Sequence, residues 1–217
     1  MKKKVFNLIV IDESGSMEII REQAFSGMNE TLATIRIMQE KYPDTDQRVS
    51  LITFDSSHTT WHYDNTPANE TKDLRRDQYS PGGCTPLYDA IGKSVARLNS
   101  QAEENDNVLV TIITDGEENS SREWSLSMVR NLIEKLKKRN WTFSLIGTDN
   151  LDVDSMAKSM HIEATMRFKQ NDEETMAMFC NERRALLKFN KNLSASKSVR
   201  SSDLFKLGEE DTDPLKG

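Results

Sequence analysis

Three short stretches of this chain carry oxygen-bearing side chains at spacings that suit a hard cation. Residues 12–17 (DESGSM) place Asp12, Ser14 and Ser16 two apart, residues 82–87 (GGCTPL) offer Thr85, and residues 114–117 (TDGE) offer Asp115. Together they supply two carboxylates and three hydroxyls, with no histidine or thiolate that has to take part. Such ligands suit Mg2+, Mn2+ or Ca2+ and disfavour zinc and copper. Mg2+ keeps waters in its octahedral shell, so a site built from three loops can leave a position open. Each residue also has a bland reading. Ser14 and Ser16 could cap a helix, Asp12 could satisfy loop amides, Thr85 could cap the helix that starts at Pro86, and Asp115 could be a turn residue. Glu13 and Glu117 read as exposed rim charges, and Glu118, Asn119 and Arg122 as rim residues that could set partner choice.

The elements that must position these residues follow from hydrophobic period. Residues 5–11 (VFNLIVI), 107–114 (NVLVTIIT) and 141–147 (WTFSLIG) are short, nearly unbroken apolar runs, as in strands buried on both faces. Residues 48–54 (RVSLITF) read as another strand, 59–63 (TTWHY) as an edge strand hairpinned to it, and 161–168 as a last strand. Phe25, Met28, Leu32, Ile35 and Met38 recur at three- and four-residue steps, which predicts an amphipathic helix over 17–41. Further helices are expected over 86–99, 125–139, 153–160 and from 172 to near 192, the last capped by Asn171. Residues 65–83 read as loop with one helical turn near 71–76, and Met176 and Met178 as core filler.

Strands alternating with helices predict an α/β fold. The expected form is a doubly wound, mainly parallel six-stranded sheet of order 3-2-1-4-5-6, with strand 3 antiparallel at the edge and helices on both faces. Ligands bind such sheets beyond the carboxyl ends of the strands where the order reverses. Asp12 and Asp115 follow the two strands that flank that point.

On these residues the chain resembles von Willebrand factor A domains. Asp12-x-Ser14-x-Ser16, Thr85 and Asp115 look like the five-residue metal-ion-dependent adhesion site of that family, and the segments GGCTPLYDAIG and ITDGEEN look like those of bacterial intracellular members. Cys84 is a one-residue variation on the simpler Gly-Gly-Thr loop and leaves Thr85 in place. The resemblance covers roughly residues 4–190. It implies a domain over 1–192 in which Ser14, Ser16 and Thr85 bind the ion through hydroxyls, and Asp12 and Asp115 act directly or through waters. With charged ligands partly in the outer shell, the ion keeps positive charge and attracts a Glu or Asp of a partner protein. The function implied is a metal-dependent adaptor or scaffold, or a regulatory subunit beside an ATPase or kinase.

The competing reading is an enzyme, a metal-dependent phosphohydrolase with Asp12 as nucleophile. It would want a second aspartate where Ser14 stands. The Gly82–Thr85 loop lacks a phosphate-binding lysine, and Ser14 lacks a GxSxG elbow. No general base is apparent.

Composition narrows the rest. The chain has 217 residues with 29 basic and 35 acidic side chains, net −6, which disfavours nucleic acid as the partner. Cys84 and Cys180 form neither a disulfide framework nor a zinc motif and are expected as buried or half-buried thiols in a reducing compartment. The three lysines after Met1 lead into too short an apolar run for a secretion signal, and no stretch reaches the ~20 apolar residues of a membrane span. A cytoplasmic location is therefore expected. His58, His62 and His161 show no metal spacing, and Trp61 reads as packing. Residues 193–217 read as a Ser-rich and acidic tail, with 204–207 as a docking spot. The four carboxylates of residues 208–213, Glu209, Glu210, Asp211 and Asp213, offer a self-interaction with the metal.

Overall fold

Side chains alternate across a strand, so an apolar strand placed between two helix layers must feed both. Along β1 (Lys3–Asp12), Val5, Ile9 and Ile11 join one core while Phe6, Leu8 and Val10 join the other. The computed structural model, which describes residues 2–194 and 203–206, shows how the remaining elements complete those cores. β2 (Thr45–Phe54) lies parallel to one side of β1 and β4 (Asn107–Thr114) parallel to the other. β3 (Thr59–Pro67) pairs antiparallel with β2, while β5 (Trp141–Thr148) and β6 (Ala164–Phe168) extend the sheet in parallel beyond β4. The order is β3-β2-β1-β4-β5-β6, as the sequence predicts. α1 (Arg21–Lys41) and α5 (Asp172–Ser194) cover one face. α2 (Leu87–Asn99), α3 (Leu126–Lys137) and α4 (Val153–Ser159) cover the other.

Local departures from the sequence reading have local causes. The first helix opens with a 3-10 segment, Gly15–Ile20, before α1 begins. β3 runs on to Pro67 with irregular pairing opposite Val49–Ile52. The helical turn expected near 71–76 is replaced by 3-10 turns on either side, Ala68–Glu70 and Arg76–Gln78. β6 starts only at Ala164, because His161 has φ of 61°, a left-handed conformation no strand accommodates. Trp61 packs as expected, with the Arg97 guanidinium 4.6 Å from its ring centre. Cys84 is exposed rather than buried. Among the described residues, no helix is long and apolar enough to cross a membrane.

α5 is held by polar as well as apolar contacts. Asn7 Nδ2 donates to Gln47 Oε1 at 3.1 Å, and Gln47 Nε2 donates to Asn190 Oδ1 at 2.6 Å, all three residues being buried. Phe179 lies against Gly27 so closely that a Cβ there would stand 2.2 Å from the ring. Beyond α5, Leu204 is buried against this core with Phe205 beside it, in line with the expected docking spot. Leu207, the acidic stretch and its expected contact with the metal lie outside the described residues.

The buried carboxyl of Glu182 makes this interface sensitive to pH. Its Oε2 accepts from Thr31 Oγ1 at 3.0 Å, while Oε1 has no hydrogen-bond partner among the described residues. Burial pushes its pKa from 4.5 to about 7, against the Thr31 hydrogen bond and the Arg183 charge. A folded-state pKa above the unfolded one means the native protein binds the extra proton. The stabilisation is complete below 4.5 and is lost as pH rises through about 7. The loss is on the order of 3 kcal/mol. Glu182→Gln should therefore match wild type only below 4.5, and melt higher at pH 8 in paired thermal scans. A variant less stable at both values would show that the carboxylate itself is needed.

Candidate metal centre

Three loops meet beyond the carboxyl ends of β1 and β4, and main-chain hydrogen bonds join the first two. Gly82 N–H donates to the Glu13 carbonyl at 2.8 Å, and Gly15 N–H donates to the Gly83 carbonyl at 3.1 Å. Gly83 has φ of 70°, a left-handed turn that glycine adopts without strain. The third loop is tied to the second through Asn119. Its Oδ1 accepts from Thr85 N–H at 2.8 Å, and its own N–H donates to the Thr85 carbonyl at 3.1 Å.

Within this frame four of the five expected residues form one chain of contacts. Asp12 Oδ1 accepts from Ser14 N–H at 2.8 Å and Oδ2 from Thr114 Oγ1 at 2.6 Å. Ser14 Oγ lies 3.3 Å from Ser16 Oγ, which donates to Asp115 Oδ1 at 2.7 Å. The fifth, Thr85, is buried with its hydroxyl against Gly116, where a Cβ would stand 2.9 Å from Oγ1. The capping role open to Ser14 is not taken, since it stands at the N-cap position without a side-chain cap hydrogen bond. Ser16 alone of the five is exposed, so the cluster opens to solvent there.

The electrostatics suit a cation. Asp12 is fully buried and Asp115 is 4% exposed. Burial pushes Asp12 from 3.8 to about 6, opposed by hydrogen bonds from Thr114 and Ser14 and reinforced by the charge of Asp115. Burial likewise raises Asp115, opposed by Ser16 and Gln170. Among the described residues, no lysine or arginine pairs with either carboxyl or ranks among the main groups acting on it. The two serine oxygens stand close to the ~3 Å separation of adjacent ligands at right angles on an ion with ~2.1 Å bonds. The residues therefore fit a hard divalent ion bound by mixed hydroxyl and carboxylate oxygens. Among the described residues, no cluster of three or more His, Cys, Asp or Glu offers an alternative metal site.

Several neighbours differ from their sequence reading. Glu13 is not a rim charge: it is 3% exposed, and one carboxylate oxygen accepts from Ser80 N–H and so pins the loop leading to Thr85. Glu118 builds the scaffold, accepting from Tyr88 N–H at 2.9 Å and from Ser121 N–H at 2.7 Å. Glu117 and Arg122 are exposed as expected. Gln170, between β6 and α5, was not singled out by sequence. Its Nε2 donates to Asp115 Oδ2 at 2.6 Å and to the Ser16 carbonyl at 3.0 Å, tying the start of α5 to the centre. A lone glutamine in a loop carries no motif, and only the closure of the sheet brings it there.

The raised Asp12 pKa gives a test that needs no ligand. In chelator, ionisation of Asp12 removes stability as pH rises from 3.8 through about 6, by at most roughly 3 kcal/mol. Asp12→Asn keeps an oxygen for Ser14 N–H and cannot ionise. It should melt above wild type at pH 8 in chelator, keep about half of that advantage at pH 5 and lose it below 3.8. Lower stability at pH 8 would mean that the carboxylate is structural.

Comparison with known proteins agrees with this architecture. A family model for the von Willebrand factor type A domain matches residues 8–182. Similar solved structures include the PilB minor pilin from Streptococcus sanguinis, with a TM-score of 0.61 and 13% identity over 92% of this chain and 64% of that one. The pilus adhesin SpaC from Lactobacillus rhamnosus GG has a TM-score of 0.66 and 14% identity over 86% of this chain and 31% of that one. The SpRpn10 VWA domain has a TM-score of 0.57 and 15% identity over 84% of this chain and 95% of that one. This chain thus spans less than two thirds of either pilus protein, and at such identities the likeness is one of fold. A search of curated proteins returns no significant match. With the family model matched over most of its length and the sheet order in place, the chain belongs to the von Willebrand factor type A domain family.

Proposed function

We propose that this domain is a divalent-metal-dependent protein–protein interaction module, an adaptor or scaffold. Its metal-ion-dependent adhesion site would be formed by Asp12, Ser14, Ser16, Thr85 and Asp115. The observation that carries the reading is the burial of two carboxyls beside a pair of hydroxyls, with no basic side chain paired to them among the described residues. Mg2+, Mn2+ or Ca2+ would supply the missing positive charge. Ser14, Ser16 and Thr85 would hold it through neutral oxygens, which leave its charge largely uncancelled. Asp12 and Asp115 would orient those hydroxyls and bound waters, and Gln170 would hold Asp115 in place. A Glu or Asp of the partner protein would then complete the shell where Ser16 opens to solvent.

The hydrolase alternative fits less well. Asp12 would have to act as nucleophile, but it is fully buried with both oxygens engaged. A role as regulatory subunit of an ATPase or kinase complex uses the same site and differs only in the partner. We assign the domain to the cytoplasm of a bacterial-type cell, on the resemblance of its loops to intracellular members of the family.

The acidic tail is a second source of carboxylate, limited by where it is tethered. Lys188 Nζ donates to the Lys206 carbonyl, which fixes the point from which the last residues extend. Lys188 stands about 24 Å along α5 from Asp172, at 1.5 Å per residue. Glu209 reaches only about 10 Å from Lys206 and Asp213 about 24 Å. Contact with the chain's own metal would thus fall to the extreme of the tail.

Titration calorimetry with Mg2+ and Mn2+ tests the central claim. Wild type should bind one ion, Asp12→Ala none, and Gln170→Ala one ion at several-fold lower affinity. Equal binding by wild type and Asp12→Ala would sink the reading. Turnover of phosphoesters that vanishes in Asp12→Ala would move the hydrolase to first place.

A further inference from the structure

α1 and α5 lie side by side and start together at the candidate centre. Gln170 reaches the Ser16 carbonyl at 3.0 Å, Phe179 packs on Gly27, Thr31 donates to Glu182 at 3.0 Å, and Arg183 pairs with Glu30. Residue numbers rise together along both helices, so they run parallel away from the site. Between them lies a groove of about 350 Å³, lined among others by Gln23, Gly27, Met176 and Phe179. Met176, expected in the core, is 60% exposed, while Met178 is buried. Ile19 is 67% exposed in the 3-10 segment that leads from Ser16 to α1. Ile19 and Met176 are two of the four exposed large hydrophobic side chains among the described residues, Ile19 three residues beyond Ser16 and Met176 six beyond Gln170.

We propose that this groove is the second half of the partner site: it receives a large apolar side chain from the same partner segment whose carboxylate binds the metal. The proposal rests on the metal-dependent reading above. Its spacing follows from the helices. Met176 lies four residues beyond Asp172, about 6 Å along α5, and Asp172 follows closely on Gln170 at the centre. An extended partner at ~3.4 Å per residue therefore places the apolar side chain two to four residues from its acid.

Charge narrows the partner further. The first turn of α5 exposes Asp172, Glu173 and Glu174, which have no ion-pair partner among the described residues. On α1, Glu22 and Glu30 are paired by Arg76 and Arg183, leaving the mouth with net negative charge. Metal attracts one carboxylate, and this rim repels others and favours flanking Lys or Arg. The preferred ligand is a segment with one acid, a nearby large apolar residue and basic flanks. The chain's own tail, with four carboxylates clustered together, matches it poorly.

Fluorescence anisotropy on the full chain tests this with capped 12-residue peptides of Gly, Ser and Lys carrying one Glu. One set adds Leu two, three or four residues to either side of the Glu. Controls omit Leu or replace it with a second Glu. In saturating Mg2+, the best Leu peptide should bind about fivefold tighter than the peptide without Leu, and the two-Glu peptide no tighter. Ile19→Ser with Met176→Ser should erase the Leu gain. Met128→Ser, which alters a 45% exposed methionine on α3, should retain it. No gain at any spacing, a gain that survives loss of both apolar side chains, or no binding by any peptide would overturn the proposal. Peptide binding unchanged by chelator would defeat the metal reading instead, and is separable because the Leu gain is scored independently.

Discussion

Two carboxyls are buried at the ends of adjacent parallel strands, where loss of water costs their charged forms more than their mutual repulsion does. This is the constraint on which the upper end of the domain is built. β1 and β4 are hydrogen-bonded neighbours, so Asp12 and Asp115 are brought together by the sheet register and cannot move apart without unpairing it. The loops around them supply hydroxyls and amides: Thr114 and Ser14 to Asp12, Ser16 and Gln170 to Asp115. Those dipoles lower both pKa values but do not overcome desolvation. A lysine in the cluster would neutralise the pair permanently. An exchangeable ion would neutralise it only when present and would leave charge facing outward.

The helices add to this field. α2 begins directly after Thr85 and Pro86, the 3-10 segment begins at Gly15, and α5 begins just after Gln170. Helix N-termini carry partial positive charge within their first turn, so negative groups near them are favoured. Parallel strands with right-handed crossovers put helix starts at the carboxyl ends of strands as a matter of topology. The same rule that placed the aspartates therefore placed the dipoles that make their burial tolerable.

Much of this was legible from residues alone, and the parts that were not share a physical reason. Unbroken apolar strands and helical stripes report burial in the local environment of each segment, so sheet order and layers could be read directly, and with them the strand ends from which the loops of Asp12 and Asp115 project. Burial of single residues depends on what arrives from elsewhere. Met176 and Met178 look alike in sequence, yet one faces solvent and the other the core, because α1 covers only one side of α5. Glu13 sits between two motif serines and an aspartate but is buried, because the loop before Thr85 folds over it and supplies Ser80 N–H. Glu118 and Asn119, read as rim residues, hold the starts of α2 and of the Thr85 loop. Gln170 needed two crossovers to reach Asp115 and had no local signature.

The way α5 is attached bears on the same site. Its contact with α1 and the sheet includes a buried amide chain, Asn7 to Gln47 to Asn190, and a carboxyl with one oxygen unpartnered. Apolar contacts tolerate sliding, since neighbouring registers bury similar area, whereas a hydrogen-bonded amide chain is satisfied in only one register. Gln170 lies immediately ahead of this helix, with Asn171 between them capping its first turn by accepting from Glu174 N–H at 3.0 Å. Fixing the register of α5 at its far end therefore fixes the reach of Gln170 at the near end, and with it both oxygens of Asp115. The precision of a solvent-facing cluster of loops is thus set by polar groups buried some 20–30 Å away along the helix.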